Sequence, residues 1–187
     1  MTGNISTATL MILALGLAGC GTISDVIVYS NLESDLQASG ETPAEDMPKS
    51  GTATFTGKAI GGTFAASTST EVTHAYIGDA SLTAEFNALG GTMTGTVSNM
   101  TGAGPTESGI SDVEGTIDIS NGVIAGSSVS TTYSGDLTLN GQEISVAGNM
   151  DGDFYGAEAE GVLLSSGINN ATVDGDPYFH QLKIAAD

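Results

Sequence analysis

The sequence predicts an all-β protein built as a single antiparallel, up-and-down β-barrel of about eight strands. Apolar residues alternate with Thr, Ser, Asp or Glu in several runs, among them Ser81–Phe86 and Asp112–Ile119. A period of two is typical of half-buried antiparallel strands. Asn121-Gly122 and Asn140-Gly141 follow such runs, and an Asn-Gly pair in this position predicts a hairpin. The barrel is expected to follow a lipoprotein signal peptide and a tether.

Composition and charge exclude several classes of protein. The 187 residues include 22 Asp and Glu but only three Lys and no Arg, which gives a formal net charge of −19. Such a chain is not expected to bind nucleic acid, because phosphate binding requires basic residues. The hydrophobic share of 40% is too high for a disordered acidic tail, and the 27 glycines do not favour a helical bundle.

Residues 1–19 are predicted to be a lipoprotein signal peptide. Thr9–Gly19 is apolar and uncharged but too short to span a bilayer. Leu17-Ala18-Gly19-Cys20 resembles the bacterial lipobox, after which Cys20 would carry a diacylglycerol and an N-acyl lipid. Cys20 is the only cysteine, so no intramolecular disulfide can form. The alternatives are a buried free thiol and an ordinary signal peptide, and residues 1–8 lack the usual Lys or Arg.

Residues 20–50 are expected to form a lipid-anchored tether or linker. Ile23, Val26, Ile27, Leu32 and Leu36 fit one weakly amphipathic helical face, while residues 26–29 fit a short strand equally well. The sequence leaves this choice open. Residues 39–50 change to Gly, Glu, Pro and Asp, which predicts a linker that ends at Gly51.

Residues 51–187 carry the strand signals and form the predicted barrel domain. Their 137 positions accommodate about eight strands, a number that can close into a barrel. Four glycines lie at alternating positions that are otherwise apolar and expected to face inward, where a small residue lets the wall bend: Gly57, Gly95, Gly115 and Gly148. An open sandwich is the alternative architecture. A membrane-spanning barrel is disfavoured because the other parity is Thr and acid rather than an apolar band.

Two motifs resemble a known family. Tyr76-Ile77-Gly78-Asp79-Ala80 leads into Leu82-Thr83-Ala84-Glu85-Phe86, and Gly152-Asp153-Phe154-Tyr155-Gly156 leads into Ala159-Glu160. In this order they resemble the β-barrel domain of transferrin-binding protein B and its relatives, which include factor H-binding protein and haem or haemoglobin acquisition proteins. The resemblance covers roughly residues 51–165 and implies a barrel on a surface lipoprotein. The large relatives add a handle domain that makes much of the partner contact, and 187 residues are not expected to hold one.

Histidine and tyrosine supply the candidate ligand-binding residues. His74 and His180 are the only histidines; His74 shares a strand face with Tyr76, and His180 shares one with Tyr178. Histidine and tyrosine together can ligate haem iron, so these four residues are weak haem candidates. The preferred interpretation is a hydrogen-bonded histidine in the core or at the barrel mouth.

The sequence offers little catalytic or metal chemistry. Asp151-Gly152-Asp153 and Asp174-Gly175-Asp176 could bind Ca²⁺ as acidic turns, but turn formation explains these residues better. Paired carboxylates, a catalytic triad and a phosphate loop are not recognisable, so an enzyme, a metal and a non-covalent cofactor are not expected.

Two functions remain for a chain of this kind. One is a binding module on the outer membrane or cell surface for a host or environmental ligand, a protein or haem, in iron acquisition. The other is a structural acidic envelope lipoprotein without a specific ligand. In both cases the protein is expected to be a monomer held to the membrane by lipid, and any protein partner is expected to present a basic surface.

Overall fold

One helix and nine strands make up residues 20–105 and 109–187, the part of the chain that the computed structural model describes, with side chains described from Ile23 onward. The predicted signal peptide lies outside the described residues. The helix α1 spans Cys20–Ser39. The strands are β1 (Gly51–Phe64), β2 (Val72–Asn87), β3 (Gly90–Ala103), β4 (Ser111–Ala125), β5 (Ser128–Leu139), β6 (Gln142–Tyr155), β7 (Gly161–Ser166), β8 (Asn169–Val173) and β9 (Asp176–Ala186).

The strands form a closed antiparallel ring. Each of β1 to β6 pairs with the next strand, and β9 pairs back onto β1. Both β7 and β8 lie between β6 and β9, so they are two parts of one wall strand interrupted at residues 167–168. Nine segments therefore fill eight positions, and the predicted up-and-down barrel of about eight strands is confirmed.

Of the two predicted Asn-Gly hairpins, one is correct and one is wrong. Asn140-Gly141 joins β5 to β6, and the turn expected at Asp174-Gly175 joins β8 to β9; all four residues have positive φ. Asn121-Gly122 instead lies inside β4 as a β-bulge, where the pairing with β5 shifts between Ser120 and Val123. The left-handed conformation that suits Asn in a turn also suits a bulge. The chain actually reverses after β4 at residues 126–127.

The bulge decides which residues of β4 face the core. Ile117 and Ile119 are buried before it, whereas Ile124 is buried and Val123 is exposed after it. One extra residue reverses the inward parity of the strand, because side chains alternate with period two. If the alternation of Ile117 and Ile119 continued without a bulge, Val123 would be expected inside the barrel, which is incorrect.

Neighbouring strands approach closely at two of the glycines that were expected to let the wall bend. A Cβ atom on Gly57 would lie 2.0 Å from the carbonyl oxygen of Ala185, and one on Gly95 would lie 2.4 Å from that of Ser81. Real Cβ atoms do not approach this closely, so only glycine allows the backbone of these strands to coil tightly around the core.

The lower end of the barrel, which carries the turns 88–89 and 126–127, is closed by apolar residues. Phe154 packs between Phe55 and Phe86, with ring centroids 5.7 Å apart in both pairs. Met47 is buried in the same core. Thr42 is also buried, and its hydroxyl donates to the carbonyl of Gly156 at 2.7 Å. Two residues of the predicted linker, Thr42 and Met47, are thus packed against the barrel, whereas residues 43–46 between them are exposed.

The first part of the predicted tether forms helix α1 and not a strand. It packs across the outside of the barrel, where Val26, Tyr29 and Leu32 contact Ile60, Ile77 and Ala185. Leu36 is buried further along the helix. Tyr29 belongs to the packed face although the sequence analysis omitted it, whereas Ile23 and Ile27 point away from the barrel and are exposed. Among the described residues, no helix has the length and apolar character required to cross a membrane.

Ion pairs hold the helix against the barrel beside this apolar contact. The ammonium group of Lys58 lies 2.7 Å from a carboxylate oxygen of Asp25 on α1 and 2.7 Å from one of Asp79 on β2. Burial alone would lower the pKa of Lys58, but the hydrogen bonds to both carboxylates outweigh it and raise the pKa overall. The hydrogen bond from Lys58 also lowers the pKa of Asp79. Lys183 approaches Glu33 at 4.0 Å.

Candidate functional site

The four residues singled out from the sequence converge in the upper half of the barrel interior, near the turns 140–141 and 174–175. His74 and Tyr76 come from β2, and Tyr178 and His180 come from β9. His74, Tyr76 and His180 are almost completely buried, and Tyr178 is half-buried. Every second side chain of a strand lies on the same side, so both pairs face the barrel interior and meet in one region. We call these four residues, with Tyr133 of β5, the upper cluster.

His180 is the centre of the upper cluster. Its Nδ1 lies 2.8 Å from the hydroxyl of Tyr133, and its Nε2 is hydrogen-bonded to the hydroxyl of Tyr76. The Tyr76 and His180 rings are nearly parallel, with centroids 5.8 Å apart. One imidazole therefore links side chains from β2, β5 and β9.

A neutral His180 can satisfy both of its ring nitrogens. One nitrogen carries the proton and donates, and the other accepts, so one phenol donates to the ring while the other accepts from it. The contacts with Tyr76 and Tyr133 therefore suit an uncharged imidazole.

Burial keeps three members of the upper cluster uncharged. Loss of solvation lowers the pKa of His180 to about 3. The same effect raises the pKa of Tyr76 well above its ordinary value, and it also raises the pKa of Tyr133. Neutral groups are favoured because an apolar interior penalises charge. His180, Tyr76 and Tyr133 therefore carry no charge near neutral pH.

His74 occupies a second hydrogen-bonded position in the upper cluster. Its Nε2 donates to the side-chain oxygen of Gln142 at 3.2 Å, and its Nδ1 lies 2.8 Å from the hydroxyl of Thr63. The ring of Tyr178 meets it edge-on, with centroids 6.1 Å apart. These contacts join β1, β2, β6 and β9 at the upper end of the barrel.

The geometry of the upper cluster does not fit haem. All four imidazole nitrogens of His74 and His180 are engaged in hydrogen bonds within the protein. Ligation of iron by either residue would break at least one of these bonds in a filled interior. The arrangement instead suits cross-linking of the wall, because satisfied buried polar networks make a core specific.

Sequence analysis missed three partners in this region: Thr63, Tyr133 and Gln142. Tyr133 lies two positions from the buried Thr131 and four from the buried Leu137, so its inward parity is visible in the sequence. A hairpin at Asn121-Gly122 would begin the next strand at Val123, whereas β5 begins at Ser128. Thr63 and Gln142 carry no comparable sequence signal.

An acidic outer wall covers the strands β4, β5 and β6. Its carboxylates are Asp112, Glu114, Asp118, Asp136, Glu143, Asp151 and Asp153, of which only Asp153 is half-buried. Lysine and arginine do not occur between residues 59 and 182. Serine hydroxyls on the adjacent strand donate to several of these carboxylates, for example Ser130 to Asp151 at 2.7 Å and Ser145 to Asp136 at 2.6 Å. This face is therefore negatively charged.

The two acidic segments considered for calcium differ in structure. Asp151-Gly152-Asp153 is not a turn but part of β6. Asp174 does lie in a turn, where its carboxylate accepts hydrogen bonds from the backbone of Glu143 at 2.9 Å and from the side chain of Gln142 at 3.3 Å. Within residues 20–105 and 109–187, no group of three or more His, Cys, Asp or Glu is arranged to hold a metal ion.

Comparison with known proteins identifies the barrel. The family model for the C-lobe and N-lobe β-barrels of transferrin-binding protein B matches residues 47–172. No curated protein and no solved structure gives a significant match. The matched range begins at Met47, which closes the lower end, and ends within β8. It covers more than half of the chain and agrees with the ring of antiparallel strands, so the chain belongs to the transferrin-binding protein B β-barrel family.

Proposed function

We propose that the protein is a lipid-anchored surface protein that binds a host or environmental protein in iron acquisition. The family match over residues 47–172 carries this proposal, because the family consists of ligand-binding barrels rather than enzymes. Function within a fold depends on its surface, so transferrin itself does not follow from the match.

The proposed ligand binds to the outside of the barrel. Side chains of all the wall strands fill the interior, and the upper cluster uses its polar atoms internally. The acidic outer wall offers carboxylates without nearby basic residues, which supports a partner with a basic surface. A protein is therefore a better candidate than haem.

Capture from host fluids tests this proposal. The soluble protein beginning at residue 21 would be immobilised and exposed to serum and to purified iron-carrying proteins, with haem titrated separately. We expect saturable capture of a protein that is reduced when Asp118, Asp136 and Asp151 are changed to Asn. A haem absorption band that depends on His180, without protein capture, would contradict it. Absence of any saturable capture would favour the structural envelope lipoprotein.

We further propose that lipid on Cys20 anchors the protein and that the membrane concerned is the outer membrane. The apolar segment before this residue and the absence of a second cysteine support acylation there. The Cys20→Ser variant should no longer incorporate labelled palmitate or partition with membranes. Membrane partitioning that persists in this variant would show that another segment anchors the chain.

A further inference from the structure

Helix α1 leaves an apolar patch beside the proposed anchor. Ile23 and Ile27 are 49% and 53% exposed, and they lie one turn apart on the face opposite Tyr29 and Leu36. The barrel cannot cover them, because the other face of α1 packs on Ile60, Ile77 and Ala185. Residues four apart are neighbours on a helix surface, so these two side chains form one apolar patch.

The backbone fixes the position of this patch relative to Cys20. The helix begins at Cys20 and continues without interruption to Ser39. At a rise of 1.5 Å per residue, Ile23 lies about 5 Å and Ile27 about 11 Å along the axis from Cys20. Lipid on Cys20 would therefore hold both isoleucines at the depth of the headgroups, where apolar helix faces insert.

Charge is distributed in agreement with contact to a membrane. Asp25 is the only charged residue between Cys20 and Asn31, and Lys58 pairs with it at 2.7 Å. The acidic outer wall lies on β4, β5 and β6, whereas α1 packs with Ile60 of β1, Ile77 of β2, Leu163 of β7 and Ala185 of β9. Anionic headgroups would repel the acidic outer wall more strongly than the first half of α1, which carries a single carboxylate paired with Lys58.

We propose that Ile23 and Ile27 insert into the membrane surface beside the lipid anchor, so that α1 holds the barrel at a fixed orientation rather than on a flexible tether. This inference rests on the proposed lipidation of Cys20. The ion pairs of Lys58 and the packing of Tyr29 hold α1 against the barrel, so the orientation of the helix at the membrane also sets that of the barrel. The acidic outer wall is consequently turned away from the bilayer and towards a partner.

The experiment uses the full-length, lipidated Ile27→Cys protein in vesicles of phosphatidylethanolamine and phosphatidylglycerol. Lipid occupies the thiol of Cys20, so an environment-sensitive fluorophore labels residue 27 alone. The matched control is Val123→Cys, because Val123 is a similarly exposed apolar side chain on β4. A lipid carrying a shallow nitroxide should quench the fluorophore at residue 27 several-fold more than at residue 123.

The alternative outcomes are distinguishable. Equal quenching at residues 27 and 123 would overturn the inference. A fluorophore at residue 27 whose emission is blue-shifted but not quenched by the nitroxide lipid would also overturn it, because a second protein molecule would then cover the patch. Palmitate incorporation is measured on the same samples. Incorporation without additional quenching overturns this inference alone, whereas absence of incorporation overturns the anchor and the inference with it. Both positions are exposed, so unchanged melting should show that the variants fold.

Discussion

The hydroxyl of Tyr133 lies 2.8 Å from Nδ1 of His180 in the barrel interior, although β5 and β9 are not neighbours in the ring. Tyr76 on β2 is hydrogen-bonded to the opposite nitrogen. One neutral imidazole thereby links three separate parts of the wall, and its protonation would remove the single acceptor nitrogen that it offers to the two phenols.

Stability should fall on acidification through His180. Its pKa of about 3 in the folded protein lies below the ordinary value of 6.5, so the unfolded chain binds the proton first. The stabilisation is complete above pH 6.5 and is lost as the pH falls from about 6.5 to about 3. The slope contributed by this one group is about 1.4 kcal/mol per pH unit. Denaturant titrations at several pH values in this window measure it.

The His180→Gln variant is the control for this pH dependence. Glutamine can donate and accept hydrogen bonds but does not titrate, so the difference between wild type and variant cancels the contribution of the 22 acids. We expect the free energy of unfolding to depend less steeply on pH in the variant. Identical slopes would exclude His180 as the group responsible.

Removal of the Tyr133 hydroxyl should destabilise the barrel. Tyr133→Phe leaves Nδ1 of His180 without its phenol partner in a buried position, which costs about 1–3 kcal/mol. Chemical denaturation of this variant and of Tyr155→Phe, whose ring is only half-buried, provides the comparison. A loss no larger than that of Tyr155→Phe would argue against a structural role for the hydrogen bond.

Helix α1 should contribute to the stability of the barrel domain. Tyr29 is 2% exposed and fills the contact with Ile60 and Ile77, so Tyr29→Ala should cost about 3 kcal/mol. The exposed Ile27 on the same helix is the matched position, and Ile27→Ala should change stability by less than about 0.5 kcal/mol in the soluble protein. Equal melting temperatures for the two variants would mean that the helix does not stabilise the fold.

Gly57 should not tolerate a side chain. The Cβ atom of Gly57→Ala would lie 2.0 Å from the carbonyl oxygen of Ala185, so β1 and β9 must separate. We expect a loss of about 2 kcal/mol. In Gly167→Ala the new atom meets no other atom within 4 Å, and stability should be nearly unchanged. If both variants unfold at the same denaturant concentration, close approach at Gly57 does not limit the fold.

Association with a captured protein partner should slow as salt rises. The net charge of −19 and the acidic outer wall attract basic surfaces, and physiological salt limits this attraction to about 8 Å. Stopped-flow measurement of the association rate constant at low and high ionic strength tests this expectation. A rate constant independent of salt would show that apolar contact and shape dominate recognition.

The sequence alone determined the fold class and much of the strand order. Alternation such as Leu82, Ala84 and Phe86 identifies an inward face, because a strand places every second side chain on the same side. Asn140-Gly141 identifies a hairpin because both residues tolerate positive φ. The motifs around Tyr76 and Phe154 led to the correct family. These signals are local, so they can be recognised without knowledge of distant contacts.

Only the tertiary structure decided which partners meet and which faces of α1 are covered. The sequence placed His74, Tyr76, Tyr178 and His180 on two strand faces, but contact of His180 with Tyr133 depends on the closure of the ring. Asn121-Gly122 is compatible with a turn or a bulge, and pairing with β5 selects the bulge. Ile23 and Ile27 resemble Val26 and Leu32 in sequence. The surface presented by β1, β2 and β9 determines which of them are buried, because packing depends on shape across elements distant in sequence.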